Sequence, residues 1–144
     1  MDRQWWKAYS EEASKVFGGQ FVSPQRLPDA RYVKFRACKS SGEGAVALAA
    51  HWGARRIIML GYDCQHTGGN AHWHSDHKGM GNAKNYAKWP THFRDLARFL
   101  GRSVEVINAS RQTALTVFPL MNLEQALHER SESRIAEGEA ACAA

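Results

Sequence analysis

The chain reads as an α/β fold: one parallel sheet with helices packed on both faces. Three observations predict it. Apolar β-prone runs alternate with amphipathic segments in the order β, α, β, long loop, α, β, which is how crossover helices join parallel strands. The most apolar run, Ile57-Ile58-Met59-Leu60, is unbroken, as expected of a strand covered on both faces. A length of 144 residues with a 44% hydrophobic fraction suits a single packed core.

Residues 3–17, RQWWKAYSEEASKVF, put Trp6, Tyr9, Ala13, Val16 and Phe17 on one helical face, and Gly18-Gly19 stops the helix. A short strand is expected at 20–23, then a loop marked by Pro24 and Pro28, then an alternating strand at 31–36, RYVKFR. Residues 40–54, SSGEGAVALAAHWGA, form a helix opened by serines, filled with small residues and closed by Gly53. A strand follows at 55–63, RRIIMLGYD. Thr91 caps a helix over 92–100 with Phe93, Leu96, Ala97 and Leu100 on one face, and Gly101 ends it. VEVIN at 104–108 is another strand. Residues 1–121 are thus expected to form one α/β domain. A C-terminal helix with a fading apolar face (Leu123, Ala126, Leu127) and a frayed tail then occupy 122–144.

The formal net charge is +5 and is unevenly spread. From Asn122 onward five glutamates face two arginines, a net of −3, so the body carries +8. A basic body favours anionic partners such as nucleotides, nucleic acid or phosphosugars, although a solvated basic face explains the same charge. No run of about 18 apolar residues exists, so no membrane span is expected. The start, MDRQWWKAYSEE, lacks the apolar core of a secretory signal. Three widely spaced cysteines, Cys38, Cys64 and Cys142, are not a disulfide framework, which points to a reducing cytoplasm.

In a parallel sheet, ligands bind beyond the carboxyl ends of the strands, and three segments arrive there. Ser40, Ser41 and Gly42 open a helix whose first amides suit a phosphate; equally, the serines cap the helix and the glycine lets it pack closely. Gly61 and Asp63 end the apolar strand, where Asp63 can hold a ribose hydroxyl, a metal ion or a loop N–H. Asn108 and Ser110, after the last strand, can bind a base or sugar, or cap a turn.

Between the second and third of these lies DCQHTGGNAHWHSDH, residues 63–77, with His66, His72, His74 and His77. Connections this long inside a compact domain commonly carry function. His72 and His74 share a face if the segment is extended. With His77 and Asp63, Cys64 or His66 they could complete a site for a divalent ion, zinc or manganese, but the spacing matches no standard metal signature. A neutral histidine is also the readiest general base near pH 7, so His72, His74, His77 and Asp63 are candidate catalytic groups without a metal. Plain loop histidines are the third reading.

The string SSGEGAVALAAHWGARRIIMLGYD, residues 40–63, resembles the Rossmann-like core shared by bacterial lipo-oligosaccharide sialyltransferases and a set of uncharacterised proteins common in phages and prophages. In that group a Ser/Thr-Ser-Gly helix start precedes Gly-Ala/Tyr-x-x-Ile-x-Leu-x-Gly-x-Asp. GNAKNYAKWPTHFRDLARFLGRSVEVINAS is similar to the next segment, so the likeness spans residues 40–120, and HTGGNAHWHSDH is closest to the phage branch. The resemblance implies a nucleotide pocket in which Ser40, Ser41, Gly42 and Gly61 touch a cytidine nucleotide. Two departures stand out. The family's phosphate-holding tyrosines are replaced by Gln65, His66 and His72. Its catalytic Gly-His-Ser-Lys-Asn reads Gly81-Asn82-Ala83-Lys84-Asn85, so His74 or His77 would have to serve. The resemblance further implies a Rossmann-like sheet lacking its N-terminal strands, whose exposed edge would favour a homodimer.

Three functions follow as expectations. The first is a nucleotide- or nucleotide-sugar-binding, glycosyltransferase-like protein of phage or prophage origin, acting in the host cytoplasm. The second is a metal-dependent phosphoester hydrolase built on the histidine segment. The third is a non-enzymatic accessory protein that binds a nucleotide, a nucleic acid or a host protein.

Overall fold

The computed structural model describes residues 3–36, 38–69 and 86–128. Its elements are α1 (Arg3–Val16), β1 (Val22–Ser23), β2 (Arg31–Tyr32), α2 (Ser41–His51), β3 (Arg56–Met59), a 3-10 turn (Tyr86–Lys88), α3 (Trp89–Leu100) and β4 (Glu105–Asn108). A further helical segment, α4, covers residues 123–128. The fold is mixed α/β and its strand pairing is parallel, as the element order predicts.

The strands do not all join one sheet. Among the described residues β1 pairs only with β2, and β3 with β4, giving two short parallel pairs. The expected strand at 31–36 shrinks to two exposed residues because β1 offers it a partner of only two residues. The strand expected at 55–63 closes at Met59. Gly61 and Cys64 take left-handed backbone angles, φ +72° and +51°, that extended chain cannot accommodate. Leu60, expected to be covered, is exposed. A third segment starts beside β4, where the Asn108 N–H donates to the Pro119 carbonyl and the Met121 N–H donates to the Asn108 carbonyl.

The core explains why the 40–54 and 92–100 segments are helices. Val46 and Ala47 of α2, Phe93, Leu96 and Leu100 of α3, Met59 of β3 and Val106 of β4 form one buried cluster with Leu115 and Phe118. The in-register pairs Ile57↔Val106 and Met59↔Asn108 put those side chains on one face of the strand pair. Both α2 and α3 therefore lie on that face, rather than being divided between two. Burial of a side chain such as Phe93 or Leu96 contributes about 1.5–3 kcal/mol each. The other face carries Ile107, which is buried, as is Ala126 of α4; neither belongs to the larger cluster.

α3 begins at Trp89, before the expected Thr91 cap, with Pro90 in its first turn and no side-chain cap. Proline fits there because the first-turn N–H has no helical acceptor to lose. In α1 the expected apolar face is only partly used. Trp6 is buried, its Nε1 donating to the Pro28 carbonyl at 2.9 Å and its ring edge-on to Phe21, whereas Val16 is 84% exposed. The expected helix–tail segment keeps residues 123–128 as helix; the tail lies outside the described residues.

Candidate functional site

The carboxyl ends of β3 and β4 meet the start of α2, and the predicted site residues gather there. Ser40 is the N-cap of α2: its Oγ accepts the Glu43 N–H at 3.2 Å, and Glu43 Oε2 accepts the Lys39 N–H at 2.8 Å. Glu43 is buried, and it places an acidic side chain at the helix start, where the helix dipole favours one. The amides of Ser41 and Gly42 are the first-turn donors that neither residue engages, and Ser41 is exposed.

Gly42 is small because Tyr62 lies over it. A Cβ at position 42 would stand 3.0 Å from the Tyr62 ring, and the Tyr62 hydroxyl donates to the Gly42 carbonyl at 3.2 Å. The ring also meets Phe93 edge-on. Tyr62 therefore clamps the strand end to the helix start. Gly61, one residue earlier, is different: it is exposed, and a Cβ there would meet nothing within 4 Å.

Asn108 and Ser110 are both at this end, with their side chains engaged inside the protein. Asn108 is fully buried. Its Nδ2 donates to Thr113 Oγ1 at 3.2 Å and to the Leu115 carbonyl at 3.1 Å, and its Oδ1 accepts the Ser110 N–H at 3.0 Å. Ser110 Oγ accepts the Tyr62 N–H at 2.8 Å, and Thr113 Oγ1 donates to the Tyr62 carbonyl at 2.7 Å. These bonds tie the post-β4 turn to the post-β3 turn, and they position Tyr62 rather than a ligand.

Asp63 follows Tyr62 and is partly exposed. Its Oδ2 accepts from Thr67 Oγ1 at 2.7 Å and its carbonyl accepts the Ala114 N–H at 2.8 Å. Cys64 is 8% exposed, and burial, with the Asp63 charge adding, pushes its thiol up to about 11. Burial first and Glu43 second push Cys38 to about 11 as well. Burial, followed by Cys64, raises the Tyr62 phenol. All three are therefore neutral at pH 7 and act as packing and hydrogen-bonding groups.

His72, His74 and His77 lie outside the described residues. Among the described residues no three His, Cys, Asp or Glu side chains are placed to share a metal ion. Sequence reasoning missed Glu43, Tyr62 and Thr113. The Ser40-Ser41-Gly42-Glu43 spacing was the available signal for Glu43, because Ser-x-x-Glu before an apolar run is a capping box. Thr113 has local partners in Asn108 and the Leu115 N–H, but its bond to the Tyr62 carbonyl joins segments far apart in sequence. No described helix is long and apolar enough to cross a membrane. Comparison with protein-family models, curated proteins and solved structures finds no match.

Proposed function

We propose that the chain binds a nucleotide or nucleotide sugar at the carboxyl ends of β3 and β4, with a glycosyltransferase-like ancestry. The observation that carries the reading is the open backbone at Gly61. It stands at the end of a parallel strand, where a ligand can approach the chain closely, in the same region as the exposed Ser41 and the partly exposed Asp63. Ser41 offers a hydroxyl and an amide to a phosphate or sugar oxygen. The Asp63 carboxylate keeps acceptor capacity for ribose hydroxyls after accepting the Thr67 hydrogen bond. The motif likeness of residues 40–63 supports the same ligand class.

In the reaction this reading envisages, an acceptor hydroxyl attacks the sugar carbon as the bond to the nucleotide phosphate breaks. A base takes the hydroxyl proton and the phosphate leaves with the bonding electrons. His72, His74 and His77 are the proposed bases, alongside Asp63.

The test is calorimetric titration of the full chain with cytidine and uridine mono- and diphosphates. Saturable binding that weakens about tenfold in Ser41→Ala and in Asp63→Asn, the loss of about one hydrogen bond to a charged group, is the expected result. Absence of saturation at millimolar nucleotide, or binding indifferent to both substitutions, would remove the reading.

A further inference from the structure

The opposite end of the same strand pair carries a different chemistry. There the α2–β3 turn and the α3–β4 turn lie side by side: Arg55 Nη1 donates to the Ser103 carbonyl at 3.4 Å, and Arg56 pairs with Glu105 across the strands at 3.2 Å. Arg94, Arg98 and Arg102 follow the exposed side and end of α3. Arg36 reaches in from the segment after β2, its guanidinium carbon 4.7 Å from the centroid of the Phe99 ring and its Nη2 3.5 Å from the Asp95 carbonyl.

This part of the molecule thus carries six arginines, two of them paired with carboxylates, Arg98 with Asp95 and Arg56 with Glu105, while Arg55 and Arg36 reach backbone carbonyls. Acceptors are short at this end. Arg36 Nε and Arg56 Nη2 are buried without a hydrogen-bond acceptor. Two large π faces stand beside the charge: Trp52, which caps the end of α2, is 57% exposed, and Phe99 is 60% exposed. Arg36 covers one face of Phe99, and the exposure leaves the other for a further planar group.

We propose that this end of the strand pair, comprising Trp52, Arg55, Phe99, Arg102 and Arg36, is a docking surface for single-stranded nucleic acid. The physics selects this partner. A polyanion brings phosphates to the exposed guanidiniums of Arg55 and Arg102 and releases counterions on binding. Unpaired bases supply flat rings for Trp52 and Phe99, and base–aromatic stacking tolerates any sequence. A duplex hides its base faces and an acidic peptide has none, so neither uses the aromatic pair. The surface lies at the other end of the strands from Gly61, so it stands or falls independently of the nucleotide reading.

The experiment is fluorescence anisotropy of a labelled mixed-sequence 12-nucleotide single strand, as DNA and as RNA, titrated with the full chain from 50 to 300 mM KCl. Saturable binding that weakens steeply with salt is expected. The Arg55→Ala/Arg102→Ala double variant should flatten the slope of log K against log salt by about 1.4, roughly 0.7 for each lost phosphate contact. Trp52→Ala and Phe99→Ala should each weaken binding about tenfold with the slope unchanged. All four positions are exposed, and circular dichroism of each variant checks that the fold survives. Failure to bind at 50 mM KCl overturns the proposal. So does equal affinity for duplex or for polyglutamate, which would mark a general polyanion or acidic-protein surface. Unchanged binding in both aromatic variants also overturns it.

Discussion

The two ends of the β3–β4 pair are built from one set of strands and solve opposite problems. At the carboxyl end donors and acceptors are matched: Asn108, Ser110 and Thr113 satisfy one another and the Tyr62 backbone. At the amino end they are not, and buried guanidinium nitrogens are left without acceptors among crowded arginines. The matched end is mechanically fixed and offers a ligand only what remains over, at Ser41, Gly61 and Asp63. The unmatched end is held by strand pairing and by a few arginine contacts, such as Arg55 to the Ser103 carbonyl and Arg56 to Glu105, and it leaves Arg55 and Arg102 exposed to solvent. A polar side chain at a strand end is therefore weak evidence of a ligand until its partners are known.

The sharpest way to break this comparison is Asn108→Leu. It removes three hydrogen bonds from a fully buried group and strands the Ser110 N–H and the Leu115 carbonyl, so a loss of about 3 kcal/mol is expected in urea unfolding. A loss below about 1 kcal/mol would mean the network is not what fixes this end.

The next effect is alkaline. The Cys64 thiol titrates near 11 in the folded chain against an ordinary value of 9.0, so between those values the unfolded chain has released a proton that the folded chain keeps. Stability contributed by this group is whole below pH 9 and falls as pH rises toward 11. The urea midpoint of the native chain should therefore drop more steeply over that window than the midpoint of Cys64→Ala. Parallel pH curves for the two proteins would show that Cys64 is not held protonated.

Ser40→Ala should cost about 1 kcal/mol by loss of the helix cap. At the amino end, Arg98→Ala should change stability by less than about 0.5 kcal/mol, because its pair with Asp95 is exposed and screened. A larger loss there would erase the contrast between the two ends.

Much of this was legible in the sequence. The small-residue helix at 40–54, the amphipathic helix ending at Leu100 and the parallel pairing of two apolar runs are periodicity and composition signals, and they survive in α2, α3, β3 and β4. Strand length was not legible, because it depends on what lies alongside: β2 stops where β1 stops. The site was half legible. Ser40, Gly42 and Gly61 were picked out by residue type, and they do meet at one end of the strands. Of their different duties, the cap is local, Ser40 to Glu43, whereas the seat for Tyr62 depends on a contact 20 residues apart, Tyr62 with Gly42. The histidine segment drew the eye by composition, and its candidate residues His72, His74 and His77 lie outside the described residues.

The buried Glu43 carboxylate has a consequence for selectivity. A helix start that already houses one acidic side chain disfavours each additional charge brought close to it, in a region where the low dielectric amplifies the repulsion. Along the ladder from nucleoside to mono-, di- and triphosphate, affinity at this end should therefore rise little or fall, the reverse of an unoccupied phosphate-binding helix. The group that stabilises α2 would also set the valence of what the neighbouring strand end accepts.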